Sequence, residues 1–109
     1  MRTIPIPIDT SKLRFVCVRA PRPRVLNAET GEDGNAVYEL VVSVEDAFGR
    51  IELVKVATSG EPRVTVGQEV TPIGLVGYVW EASRDGQNRW GISYRAASIV
   101  PAGEVAAHA

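Results

Sequence analysis

Val64-Thr65-Val66-Gly67-Gln68-Glu69-Val70 leads on to Trp80 and then to Trp90-Gly91-Ile92-Ser93-Tyr94-Arg95-Ala96-Ala97-Ser98-Ile99. It reads as a glycine turn, a long strand, a polar loop and a closing strand that mixes aromatics with arginine. Alternating apolar residues let such a hairpin bury one side, leaving flat rings and positive charge on the other. That combination suits single-stranded nucleic acid, in which every base has a face to stack and every phosphate a charge to meet.

The same period of two runs through the rest of the chain. Leu13 to Ala20 reads as a first strand that stops at Pro21-Arg22-Pro23, because proline cannot donate to a ladder. Asn27 to Asn35, with Gly31 and Gly34, reads as a flexible loop. Ala36 to Glu45 is the second strand, with Tyr38, Leu40, Val42 and Val44 on one face. Asp46-Ala47-Phe48-Gly49 turns the chain into a third strand, Arg50 to Ala57. Glu69 to Glu81 is the fourth, bent at Gly74 and Gly77; Ala82 to Asn88 is a polar hairpin loop; Arg89 to Val100 is the fifth strand.

No window has a helical period, and one short helical turn near Ser59 to Arg63 is the most the spacing allows. Five bent strands predict an all-β fold, a small OB-like β-barrel, with an open sandwich as the rival. The expected organisation is an extended N-terminal leader over 1–10, the barrel over 11–101 and a flexible tail over 102–109.

A chain of 109 residues, 45% of them hydrophobic, fits one domain with its own core. The single cysteine, Cys17, sits in an apolar run and reads as a small buried hydrophobe; a cytoplasmic location is expected from this usage. No segment approaches the roughly 20 apolar residues that span a bilayer. The net charge is −1 but uneven: residues 1–24 carry six basic residues against Asp9 alone, and residues 25–53 carry seven acids against Arg50. A basic edge of that kind steers polyanions locally, although scattered surface charge gives the same count.

Chemistry is hard to build from these residues. One cysteine and one histidine, His108 near the end of the chain, supply neither a metal cage nor a nucleophile with its base. Gly74-Leu75-Val76-Gly77 lacks the lysine and following helix of a phosphate-cradling loop. The expectation is a protein without catalysis, cofactor or metal.

A binding surface is easier to assemble. Trp80 and Trp90 bracket the polar loop, beside Arg84 and Arg89, and Arg95 has the opposite parity to Ile92 and Tyr94. The candidate nucleic-acid-binding set is Arg14, Lys55, Trp80, Arg84, Arg89, Trp90 and Arg95. Capping of a barrel end explains the two tryptophans equally well. Arg14 and Arg19 differ in parity, so they share a face only if a bulge lies between them.

Several short motifs carry a resemblance. Arg2-Thr3-Ile4-Pro5 with Asp9-Thr10, Val54-Lys55-Val56, Gly60-Glu61-Pro62, Val64-Thr65-Val66-Gly67 and Gly91-Ile92-Ser93-Tyr94-Arg95-Ala96 occur in that order. In these the chain resembles the actinobacterial, Streptomyces-type small regulatory and plasmid replication-activator proteins. The resemblance implies DNA-linked regulation of a mobile element and supplies no site residues. More distantly, the closing strand that ends in Pro101-Ala102 is similar to that of filamentous-phage single-stranded-DNA-binding proteins, which are five-stranded OB-type barrels that act as dimers. The acidic Asn27 to Asp46 region departs from them.

Together these readings predict a nucleic-acid-binding accessory or regulatory protein, with single-stranded DNA as the first partner. The alternatives are a protein-interaction module engaging a replication or transfer protein, and an oligomerising structural protein built on a homodimer.

Overall fold

The computed structural model describes residues 4–24 and 36–103. Eight strands form one sheet: β1 Ile6–Pro7, β2 Arg14–Pro23, β3 Val37–Glu45, β4 Ile51–Ser59, β5 Glu69–Ile73, β6 Val76–Arg84, β7 Gln87–Ala96 and β8 Ser98–Pro101. No helix occurs among the described residues, which stays within the limit of one short turn near Ser59 to Arg63. The loop expected over Asn27 to Asn35, His108 and most of the expected tail lie outside the described residues.

The sheet order is β1-β6-β7-β4-β3-β2-β5-β8, and the sheet curls into a barrel-like half-cylinder. All its pairings are antiparallel except β4 with β7, where Val56 lies beside Tyr94 and Thr58 beside Ala96. Five expected strands become eight because of two interruptions and one addition. Gly74, with φ +65°, breaks the fourth strand into β5 and β6, and Ala97 separates β7 from β8. Ile6–Pro7 of the leader then pairs with Val76 and Gly77 at the outer edge of β6.

Alternation decides what is buried. Phe15 and Cys17 of β2, Leu40 and Val42 of β3, Val56 of β4 and Val70 of β5 point inward, and Leu75, Ala96 and Ile99 complete the core. Burial pushes the Cys17 thiol pKa up, as suits a small core hydrophobe, against the smaller opposing effect of a backbone hydrogen bond with Arg19. At the β3–β4 turn, one Asp46 carboxylate oxygen accepts hydrogen bonds from the backbone N–H of Phe48 at 2.8 Å and of Arg50 at 3.0 Å. The Arg50 amide is the main cause of that carboxyl's lowered pKa.

Two expectations about strand ends are corrected. β2 runs through Pro21 to Pro23 instead of stopping at Pro21, since Pro21 falls in a register shift between Arg19 and Arg22 where no ladder donor is demanded. Ala82 to Asn88 is not a loop: β6 and β7 stay paired up to Arg84↔Gln87, and only Asp85 and Gly86 turn. Both have positive φ, 53° and 76°, which is the two-residue geometry that matches the right-handed twist of paired strands.

Candidate functional site

With the hairpin zipped to its tip, β6 and β7 form a ribbon that leaves the body of the protein. Gly77 is buried, yet every residue from Val79 to Trp90 is exposed. At ~3.3 Å per residue, Val79 to Arg84 carries the ribbon roughly 20 Å beyond the core.

Register assigns the two faces of this ribbon. Trp80 lies opposite Gly91, Tyr78 opposite Ser93, Ala82 opposite Arg89 and Val76 opposite Arg95. Directly opposed residues share a face. One face therefore presents Tyr78, Trp80, Arg84, Arg89 and Arg95. The other presents Val79, Glu81, Trp90 and Ile92, and continues into Tyr94, which packs against the core. The Tyr78–Trp80 face is thus the outward one.

Gly91 shapes that outward face. A Cβ built there would stand 2.5 Å from Cζ2 of the Trp80 indole, so the Cζ2–Nε1 edge of the ring packs directly over the glycine. Any larger residue at 91 would lift it. The indole is held from beneath and remains 42% exposed.

The neighbouring strands extend the outward surface. Lys55 sits on β4 between the inward-pointing Val54 and Val56 and faces out beside Val41, and Ala57 pairs with Arg95. Arg14, opposite Glu45, also faces out, but its Nε lies 3.3 Å from Glu69 Oε1 in an exposed ion pair. Such a pair is worth little, so a phosphate competes for Arg14 easily. Lys55, Arg84, Arg89 and Arg95 have no ion pair among the described residues. Between its turn and the core, the ribbon's outer face bears cations and no carboxylate.

Six of the seven candidate residues thus lie on the outward side of the sheet, five of them on the ribbon and β4, and Arg14 two strands further round on β2. Trp90 does not: it stands opposite Glu81, 70% exposed, on the inward-facing side of the ribbon. Sequence reasoning put both indoles in one binding surface because it took the residues between them for a loop.

It also missed three residues of the outward surface. Tyr78 shares the parity of Trp80, a signal that was available in the sequence. Arg19 and Arg22 are brought round by the register shifts in β2: Cys17 opposes the inward Val42, while Arg19 opposes Val41 and Arg22 opposes Glu39. The bulge at Val18 is what allows Arg14 and Arg19 to share a face.

No protein-family model matches the chain, and no curated protein matches it. Among the described residues there is no cluster of three or more histidine, cysteine or carboxylate side chains that could hold a metal ion. No helix among the described residues is long and apolar enough to cross a membrane.

Proposed function

We propose that this protein binds single-stranded nucleic acid, DNA first, along the outward surface of the β6–β7 ribbon and adjoining β4, in an accessory or regulatory role without catalysis. The observation that carries the reading is the ribbon face itself. Tyr78 and Trp80 offer rings to bases, while Arg84, Arg89, Arg95 and Lys55, free of carboxylates, offer charge to phosphates. The resemblance to plasmid and phage DNA-linked proteins belongs to the same reading.

An OB-type barrel is part of the proposal. The pairings Ile73↔Ser98 and Val76↔Arg95 lie on one uninterrupted register, so β5 with β6 and β7 with β8 can be taken as two long, kinked strands. β2 then pairs with both β3 and β5, and β4 pairs in parallel with the last strand. An OB-type barrel needs each of those contacts, and they support the reading.

The test is a titration of tryptophan fluorescence with oligo-dT. Binding quenches the exposed indoles and weakens with salt, by about −0.7 in log K per log salt for each phosphate neutralised. Five such contacts give roughly a 100-fold loss between 50 and 200 mM salt. Fluorescence that stays flat to high micromolar oligonucleotide at low salt removes the proposal.

A second reading has its own observation. Val79, Trp90 and Ile92, 40%, 70% and 43% exposed, form an apolar strip on the ribbon's inner face. The strip runs on through Tyr94 into a hollow of about 560 Å³ walled by Leu13, Val44, Leu53 and Val54, with Asp46, Arg50 and Glu52 at its side. A second copy of the chain, presenting the same strip, buries it by two-fold symmetry and leaves both outward faces free. In sedimentation equilibrium the mass then rises with concentration, and Trp90→Ser shifts it towards monomer. A mass of one chain at all concentrations rejects the dimer.

A further inference from the structure

At the root of the ribbon the outward face dips into a cavity of about 300 Å³, lined by Tyr78, Arg95, Ser59 and the small or apolar Gly74, Val76 and Ala97. The small residues make the room: a Cβ on Gly74 would already touch the Ala97 Cβ at 3.4 Å, and the +65° φ of Gly74 disfavours a side chain in any case. The walls are of two kinds. Tyr78 supplies a ring and Val76 an apolar surface, against which a flat aromatic ligand can lie. Arg95 supplies a planar guanidinium that is half-buried, yet its side chain has neither a hydrogen bond nor an ion pair among the described residues. Partly withdrawing a cation from water without a partner costs free energy, so the site is completed by a ligand that brings acceptors.

We propose that this cavity takes one unstacked guanine of a bound single strand, stacked against Tyr78, with its O6 and N7 edge gripped by the fork of Arg95. The inference rests on the nucleic-acid reading above and adds base preference to it. Guanine is the base with two acceptors on one edge at the spacing of the guanidinium fork, which lysine cannot reproduce. It is also a purine, with the larger face for the tyrosine. Arg89 lines another cavity of about 300 Å³, but its ring comes from Trp90 and its wall includes the Glu81 carboxylate, which repels a base's acceptor edge, while Trp80 and Arg84 on the remaining outward surface stack any base.

The experiment compares short oligo-dT with the same oligomer carrying one central guanine, adenine, hypoxanthine or 7-deazaguanine. Guanine and hypoxanthine, which share O6 and N7, are expected to bind at least five-fold more tightly than thymine or adenine. 7-Deazaguanine, lacking N7, loses most of that gain, and Arg95→Lys abolishes the ratio between guanine- and thymine-containing oligomers. Because the base analogues act on the ligand, the result does not depend on whether a variant folds. Equal affinity for all five oligomers overturns the guanine site and leaves the single-strand reading standing. Failure of every oligomer to bind overturns both.

Discussion

Replacing Trp80 by alanine lowers affinity for oligo-dT by about 5- to 150-fold, the equivalent of the ~1–3 kcal/mol that one base stacked on an aromatic contributes. Trp80 carries this expectation because of how it is held. Its indole packs over Gly91, where a Cβ would stand 2.5 Å from the ring, while the residue stays exposed. A ring fixed in this way loses little rotamer freedom when a base arrives, so more of the stacking energy appears as binding. Trp80→Phe keeps a ring at the site and retains most of the affinity. The salt slope separates the two kinds of interaction: Trp80→Ala leaves it unchanged, whereas neutralising Arg84 or Arg89 lowers it by about 0.7 for each phosphate that no longer meets a cation. Equal affinities of Trp80→Ala and the parent protein for oligo-dT would remove the outward ribbon face from the site.

Much of the fold was legible because strands that bury one side must alternate. The inward set of Phe15, Cys17, Leu40, Val42 and Val56 follows from period two alone. Bends were legible where glycine marks them, as at Gly74. What escaped was register. Whether Ala82 to Asn88 loops out or zips to Asp85-Gly86 shifts no hydrophobic residue into the core, because the ribbon lies outside it. Nothing in the burial pattern could therefore choose, and yet that choice decides whether Trp80 and Trp90 share a face. The bulge at Val18 is a similar case. It changes which way Arg19 and Arg22 point without disturbing Phe15 or Cys17, and a β-branched residue in a strand carries no signal of it. Composition likewise hid the binding surface. A net charge of −1 is compatible with a ribbon face that bears only cations, because the acids sit elsewhere.

The largest loss of stability is expected at Leu40. Its side chain is 1% exposed, in the cluster with Cys17, Val42, Val56 and Val70. Truncation to alanine removes the buried methyl groups and leaves a cavity that a two-sided sheet wall cannot close, at a cost of ~2–5 kcal/mol. Against the ~5–15 kcal/mol that holds a domain of this kind together, that is a large share, and it is read as a lower denaturant midpoint with an unchanged slope. Ile92→Ala on the ribbon is the contrasting variant. Ile92 is 43% exposed, so less apolar surface is lost and the cost stays under ~1 kcal/mol. The two values differ because stability is concentrated where the sheet curls over its core, while the ribbon beyond Gly77 is held by its own ladder. Leu40→Ala, measured where it is still folded, binds oligo-dT as the parent does, since Leu40 reaches no part of the outward face. A loss of binding without unfolding would mean that the ligand enters the barrel instead of lying along its projecting arm.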